Sequence, residues 1–285
     1  MGEWVNGKSG ESSPFEISAT SADQSCSIPF ERPARSPAGL ILLGTVHSDP
    51  KGFARARTFL EQHRPDLILV EISPFALKFR KEHSSELRKV FLENLRTISR
   101  KLKIEFSRAV KHVRITAILR QISIPFEYRA SAAYAKRTGT DLIMVDYSDF
   151  SRSWIETWQE MISAENIERL LELDSAGPPV SSLYAQAARR ISGESLQPEI
   201  RPADALRWQE REEQMAREIA SALERFNPVR PVYIGGWWHL CCGESIRTVR
   251  ELLGVEAACC RLLISANKQD PLFAVDNGVQ SGPTY

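Results

Sequence analysis

The sequence predicts an α/β fold: a mostly parallel or mixed central sheet, helices on both faces, and a large helical insertion. Three observations predict it. Short uninterrupted apolar runs recur along the 285 residues as LILLGT, LILV, LIMV and VYIGG. A continuous apolar run of strand length marks a strand covered on both faces. Helically spaced segments separate these runs, and between Pro74 and Ile122 the helical period continues with no strand at all.

The first strand is GLILLGT, Gly39 to Thr45. Asp49 and Pro50 have the form of a helix start, and Phe53, Ala56 and Leu60 continue the period. Pro65 and Asp66 punctuate, and Leu67 to Ile72 form a second buried strand. Strand, helix and strand in this order imply a parallel pair, expected as neighbours with a right-handed crossover. In the insertion, Leu87, Val90, Phe91, Leu95, Ile98 and Leu102 share one face, and the interleaved charges form a solvated one. Two or three helices are expected there.

Pro125 to Gly139 is Ala-rich and helix-prone, with Gly139 placed as its cap. Asp141 to Asp149 is a third buried strand. Helices follow over about Trp154 to Leu173 and Leu183 to Ile191, split by SAGPPVSS. A long charged helix runs from Ala203 to Phe226, and Pro228 and Pro231 end it. Pro231 to Gly236 is the fourth strand. A helix from about Gly243 to Leu253 and an apolar run from Ala257 to Ile264 complete the sheet. Residues 1–37 and 266–285, polar and without a sustained period, are expected as flexible tails around a domain over 38–265.

Formal net charge is +1, which gives no concentrated basic face for nucleic acid or an anionic membrane. No run reaches the roughly 18 apolar residues of a membrane span. The amino terminus, GEWVNGKSGESSPFEIS, has no secretory signal pattern, so the cytoplasm is the expected compartment. The five cysteines, Cys26, Cys241, Cys242, Cys259 and Cys260, are odd in number and adjacent in pairs. That is neither a disulfide framework nor zinc-knuckle spacing, and small half-buried residues in a reducing cell are expected.

One local feature repeats: GTVH, Gly44 to His47, and GWWH, Gly236 to His239. Each stands at the carboxyl end of an apolar strand, where open α/β sheets bind ligands. Glycine there is expected to supply backbone angles closed to other residues and a sharp turn. Imidazole is the commonest metal ligand, so His47 and His239 are expected to share one metal site. Glu71 interrupts a strand otherwise apolar, and a buried carboxylate needs a cation or a place at the same crevice. Neighbouring strands would bring it beside His47. Two imidazoles and a carboxylate suffice for a divalent ion with an open position.

Glu127 opens a helix, where it reads equally as a dipole-offsetting cap and as a site residue. Asp146, ending the third strand, is read as a site residue. Arg211 stands among Glu210, Glu212 and Glu213, a pattern of surface salt bridging. Trp237 and Trp238 either line a pocket or roof the core. His63, His83 and His112 have no partner pattern and are expected at the surface. The absence of GxSxG, GxxxxGK[ST] and HExxH patterns argues against serine hydrolases, P-loop enzymes and ordinary zinc proteases.

Together these segments resemble the TraB/PrgY/GumN family, which includes the TIKI metalloproteases and is related to erythromycin-esterase and ChaN-like folds. LLGTVHSDP resembles the first GxxH motif and PDLILVEIS the strand with its glutamate. FEYRASAAYAKRTGTDLIMVDYS resembles the segment of glutamate, Ala-rich helix and strand-end aspartate. EREEQMAREI is similar to the Glu-Arg-Asp-x-x-Met-Ala helix, and VYIGGWWHLCCGESI to the second motif with its later glycine, Gly243. The chain departs at Tyr147, where Arg is common after the aspartate, at Glu212 in place of aspartate, and at the Trp pair.

The resemblance implies metal and catalytic roles for His47, Glu71 and His239, and further site roles for Glu127 and Arg211. The function expected is a metal-dependent hydrolase using Mn, Co or Zn, acting on a peptide or small-molecule substrate. Glu71 would serve as ligand or general base, and Arg211 would stabilise developing negative charge. The alternatives are a non-catalytic protein sequestering a peptide, a metal or haem in the same crevice, and an esterase-like hydrolase of small-molecule esters.

Overall fold

The structure, a computed structural model, describes residues 39–173, 177–194, 202–243 and 246–264. The tails expected over 1–37 and 266–285, and Cys26, lie outside the described residues. Five strands form one sheet: β1 (Ile41–Thr45), β2 (Leu67–Val70), β3 (Asp141–Met144), β4 (Pro231–Gly236) and β5 (Cys260–Leu262). Their order is β3-β2-β4-β1-β5, and every pairing is parallel. The sheet is flanked by helices. Neighbours along each strand alternate between faces. Leu43, Ile68, Val232, Ile234 and Leu262 share a core cluster with Phe59, Leu60, Phe126, Tyr134 and Tyr184. Leu42, Leu69 and Tyr233 on the other face are equally inaccessible, so both faces are covered. That is why these strands read as unbroken apolar runs.

Helix α1 (Gly52–His63) follows β1. The expected insertion is three helices: α2 (Pro74–Lys101), α3 (Phe106–Lys111) and α4 (Val113–Ile122). Ser73 caps α2 by accepting from the Ala76 amide, with Pro74 at the first helical position. Helix α5 (Phe126–Thr138) ends at Gly139, whose φ of 76° is the left-handed conformation a helix stop favours. After β3 come α6 (Ser148–Glu156), α7 (Trp158–Met161), α8 (Ala164–Glu172), α9 (Val180–Ile191) and the long α10 (Pro202–Phe226). The last helix, α11 (Val249–Leu253), is shorter than expected. It is opened by a capping box of Thr248 and Glu251.

Three expectations change. β1 and β2 are parallel but not adjacent, because β4, from far along the chain, lies between them. A strand-helix-strand unit leaves room for a later strand, and nothing local forbids it. β3 is a partly exposed edge strand, and its first residue, Asp141, is exposed. His112 is buried, its Nε2 3.0 Å from the Leu173 carbonyl oxygen. His63 and His83 are half-buried, packed on the Phe59 and Phe79 rings.

Candidate active site

The carboxyl ends of β2, β4 and β1 stand side by side, and the residues following them form one cluster. Parallel register sets Thr45 beside Gly236, so the two histidine turns are neighbours. Beyond β4 the chain enters a 3-10 turn, Trp237–Leu240, which carries His239. On the other side of β4, the Glu71 amide donates to the Ile234 carbonyl. Glu71 thus stands against the second histidine turn rather than next to the first.

Glu71 is the hub. Its Oε1 accepts from Arg211 Nη2 at 2.7 Å and lies 3.0 Å from His239 Nε2. Its Oε2 accepts from the Gly236 amide and lies 3.8 Å from His47 Nε2. Each imidazole is held from behind by a further carboxylate. His47 Nδ1 is 2.7 Å from Glu127 Oε1, which also accepts from the Thr45 hydroxyl. His239 Nδ1 is 2.6 Å from Glu212 Oε1, whose other oxygen accepts from the Val249 amide. Arg211 Nε donates to Asp146 at 2.7 Å. The structure therefore brings together His47, Glu71, Glu127, Asp146, Arg211 and His239.

Two residues of α10 correct the local pattern. Arg211 is buried and is no surface salt bridge. Glu212 is fully buried, and its role behind His239 was missed. A helical count would have found it, because Glu212 is in phase with the buried Met215, Ala216, Ile219 and Ala222. Glu210 and Glu213 lie off that stripe. Glu127 stands behind His47, bonded to its Nδ1. Trp237 packs partly buried against the core, and the Arg190 guanidinium stands over both Trp237 and Trp238. Trp237 roofs the core, and neither Trp lines the cavity at the site. Cys241 and Cys260 are buried free thiols, pushed by burial up to about 12 and about 11. They are packing residues, unsuited to thiolate chemistry.

The motif glycines serve a different purpose from the one expected. Neither Gly44 nor Gly236 has positive φ; they supply space. A Cβ on Gly44 would lie 3.0 Å from the Trp237 backbone, and one on Gly236 would lie 2.8 Å from His47 Nε2.

The charge pattern follows from burial and pairing. Burial disfavours a charged His239, but Glu212 and Glu71 overcome it and raise the imidazole to about 10. Desolvation likewise opposes charge on His47; Glu127 and then Glu71 outweigh it, and the ring is raised. With a side chain 59% exposed, His47 is the softer of the two, since water screens the attraction. Glu71 is held well below the usual carboxylate range: His239 and Arg211 outweigh the burial penalty. Tyr233, buried behind this cluster, has a hydroxyl without a hydrogen-bond partner among the described residues.

The cluster opens on a cavity of about 560 Å³ lined by His47, Glu71, Glu127, Asp146 and Arg211, with Phe150, Trp154 and Trp208 among its apolar walls. Among the described residues no set of three His, Cys, Asp or Glu donors stands as a ready coordination shell. The donor chemistry nevertheless suits a divalent ion. Both Nδ1 atoms are held by carboxylates, the arrangement that orients metal-ligating histidines. Both Nε2 atoms face one carboxylate, at separations of 3.0 and 3.8 Å. Ligands each about 2.1 Å from one ion stand at comparable separations. Electrostatics agrees, because exchanging the two imidazole protons for one dication leaves the charge of the cluster unchanged.

Comparison of the chain with protein-family models, with curated proteins and with solved structures finds no match.

Proposed function

We propose that the chain is a metal-dependent hydrolase of peptides or small molecules, as its resemblance to the TraB/PrgY/GumN family implies. One observation carries the reading: two carboxylate-backed imidazoles, distant in sequence, present Nε2 to the same buried carboxylate beside a substrate-sized cavity. His47, His239 and Glu71 would hold a divalent ion such as Mn, Co or Zn. When bound, such an ion supplies Lewis acidity toward a substrate carbonyl. Glu71 suits the role of ligand better than that of base, because a carboxylate held far below its usual range is a weak proton acceptor. Glu127 and Glu212 fix the tautomers of His47 and His239. Arg211 holds Glu71 and Asp146 in place, with its Nε and Nη2 already engaged.

The test is equilibrium dialysis against Zn²⁺, Mn²⁺ and Co²⁺, followed by peptide- and ester-library hydrolysis with and without chelator. The expected result is about one ion per chain and turnover abolished by chelation. Product formation unaffected by chelation overturns the metal role. Saturable ligand binding without product favours a sequestering protein instead.

Two further outcomes are expected. Protons must leave both rings for the ion to bind, and His239 holds its proton up to about 10. Apparent affinity therefore rises with pH across the neutral range, by up to about tenfold per unit for each proton displaced. Competition with a chromophoric chelator at pH 6, 7 and 8 checks this; a flat profile excludes displacement of ring protons. Gly236→Ala crowds His47 Nε2. Because the half-exposed His47 ring gives way easily, stability should change by less than about 1 kcal/mol, while ion affinity falls about 10- to 100-fold. Dialysis and urea titration of this variant measure the two effects separately, and unchanged affinity refutes the crowding argument.

A second reading is favoured by the exposure of His47. Its ring, backed by Glu127 and raised to about 9, meets the cavity as an oriented general acid would near neutral pH and as a general base would at higher pH, without any ion. Ester turnover that survives chelation and disappears in Glu127→Gln identifies it.

A further inference from the structure

The carboxylates lining the cavity each have a cationic partner. Asp49 pairs with Arg55 at 2.8 Å, Glu71 and Asp146 with Arg211 at 2.7 Å, and Glu127 with His47. Arg80, Arg120 and Arg129 line the same cavity, and none has a carboxylate oxygen within ion-pair distance among the described residues. The unmatched charge of the walls is therefore positive, and it comes from α2, α4 and α5.

Arg80 is the most constrained of the three. Its Nε and Nη1 donate to the carbonyls of Gln121 and Ala76, both at a long 3.3 Å. Its guanidinium lies 4.9 Å from the Trp158 ring centre. Burial pushes it down to about 10, with Asp146 offsetting part of the penalty from beyond bonding distance. A desolvated guanidinium without a bonded anion gains more from an incoming one than the same group does in water. Arg129 stands over the Phe53 ring, and Arg120 is exposed. Phe150, Trp154 and Trp208 make the rest of the cavity suited to an apolar or aromatic body.

We propose that this cavity selects substrates carrying a free carboxylate beside an apolar or aromatic group, with Arg80, Arg120 and Arg129 as the carboxylate-recognising residues. The inference deepens the hydrolase reading, because it takes the cavity as the substrate site; it does not depend on the ion. A singly charged carboxylate fits better than a phosphate dianion, since four carboxylates share the walls and repel the second charge.

The test is calorimetric binding of benzyloxycarbonyl-Ala-Phe as free acid and as C-terminal amide to the full chain in excess chelator. The expected result is an acid at least about tenfold tighter than the amide, the scale of one charge-assisted bond. The preference should shrink to within about threefold in the Arg120→Met/Arg129→Met variant. It should fall further when Arg80→Met is added and be partly restored by Arg80→Lys. The exposed pair keeps the test decisive if Arg80→Met fails to fold. Equal binding of acid and amide, binding of neither at millimolar concentration, or a preference untouched in the variants overturns the proposal. A phosphonate analogue that binds tenfold tighter than the acid overturns the carboxylate assignment. Because chelator is present throughout, failure of the metal reading appears only in the dialysis and turnover results.

Discussion

Arg211→Met is expected to destabilise the fold by about 3–5 kcal/mol, the scale for removing one partner of a buried ion pair. The guanidinium donates to Glu71 and Asp146, both at 2.7 Å, and the three side chains are no more than 10% exposed. Methionine fills much of the volume beside Phe150 and Trp208, whose rings the guanidinium now faces. The loss is therefore electrostatic rather than steric. It leaves two carboxylates in a low-dielectric site where one retains only imidazoles and a backbone amide. Urea unfolding at pH 7 in chelator measures it, and a loss below about 1 kcal/mol would show that water reaches the cluster. The acid limb gives an independent check. Glu71 is depressed in the folded state, so its stabilisation is present above its ordinary value of 4.5 and lost as pH falls through the folded value. Without Arg211 that depression weakens, and acid unfolding begins at higher pH.

His47→Ala and His239→Ala are expected to share one effect and differ in another. On the proposed metal-dependent reading each would remove an ion ligand, so each should lower hydrolysis by about a thousandfold, equivalent to about 4 kcal/mol of lost transition-state stabilisation. Their effects on stability part because their burial differs. The His239 side chain is 3% exposed and bonded at both nitrogens to Glu212 and Glu71. Its loss turns two buried carboxylates toward each other and should cost about 3 kcal/mol or more. The half-exposed His47 leaves only Glu127 short of one hydrogen bond, about 1 kcal/mol. In the ion-free chain the His239 proton also gives a pH signature. A group raised from 6.5 to about 10 contributes stability that is complete below 6.5 and lost as pH rises through 10. Thermal unfolding between pH 6 and 10 should show that decline in the wild-type chain and a flatter curve in His239→Ala. Equal stability losses in the two variants would contradict the burial difference.

Much of this site was legible before any coordinates. Histidine at the end of an apolar strand, twice, and glutamate inside a third apolar run are departures from pattern that burial makes costly, and all three side chains meet. Glu127 and Asp146 were legible as strand- and helix-end acids but not as partners of His47 and Arg211, because partnership depends on which strand ends are neighbours. Arg211 and Glu212 were hidden between Glu210 and Glu213, although the helical phase of Met215 and Ile219 placed them inward.

What the sequence alone determined is therefore the local part: strands where apolar runs are unbroken, helices where the period is 3.6, and polar residues gathered at the carboxyl edge of the sheet. Tertiary structure decided strand order. Inserting β4 between β1 and β2 made Glu71 a neighbour of His239, and gave Gly44 and Gly236 their roles as spacers instead of turn formers. The physical reason is that strand pairing joins residues far apart in the chain, through backbone hydrogen bonds that carry no side-chain signature. An apolar run announces that it will be covered on both sides, but not by which neighbour.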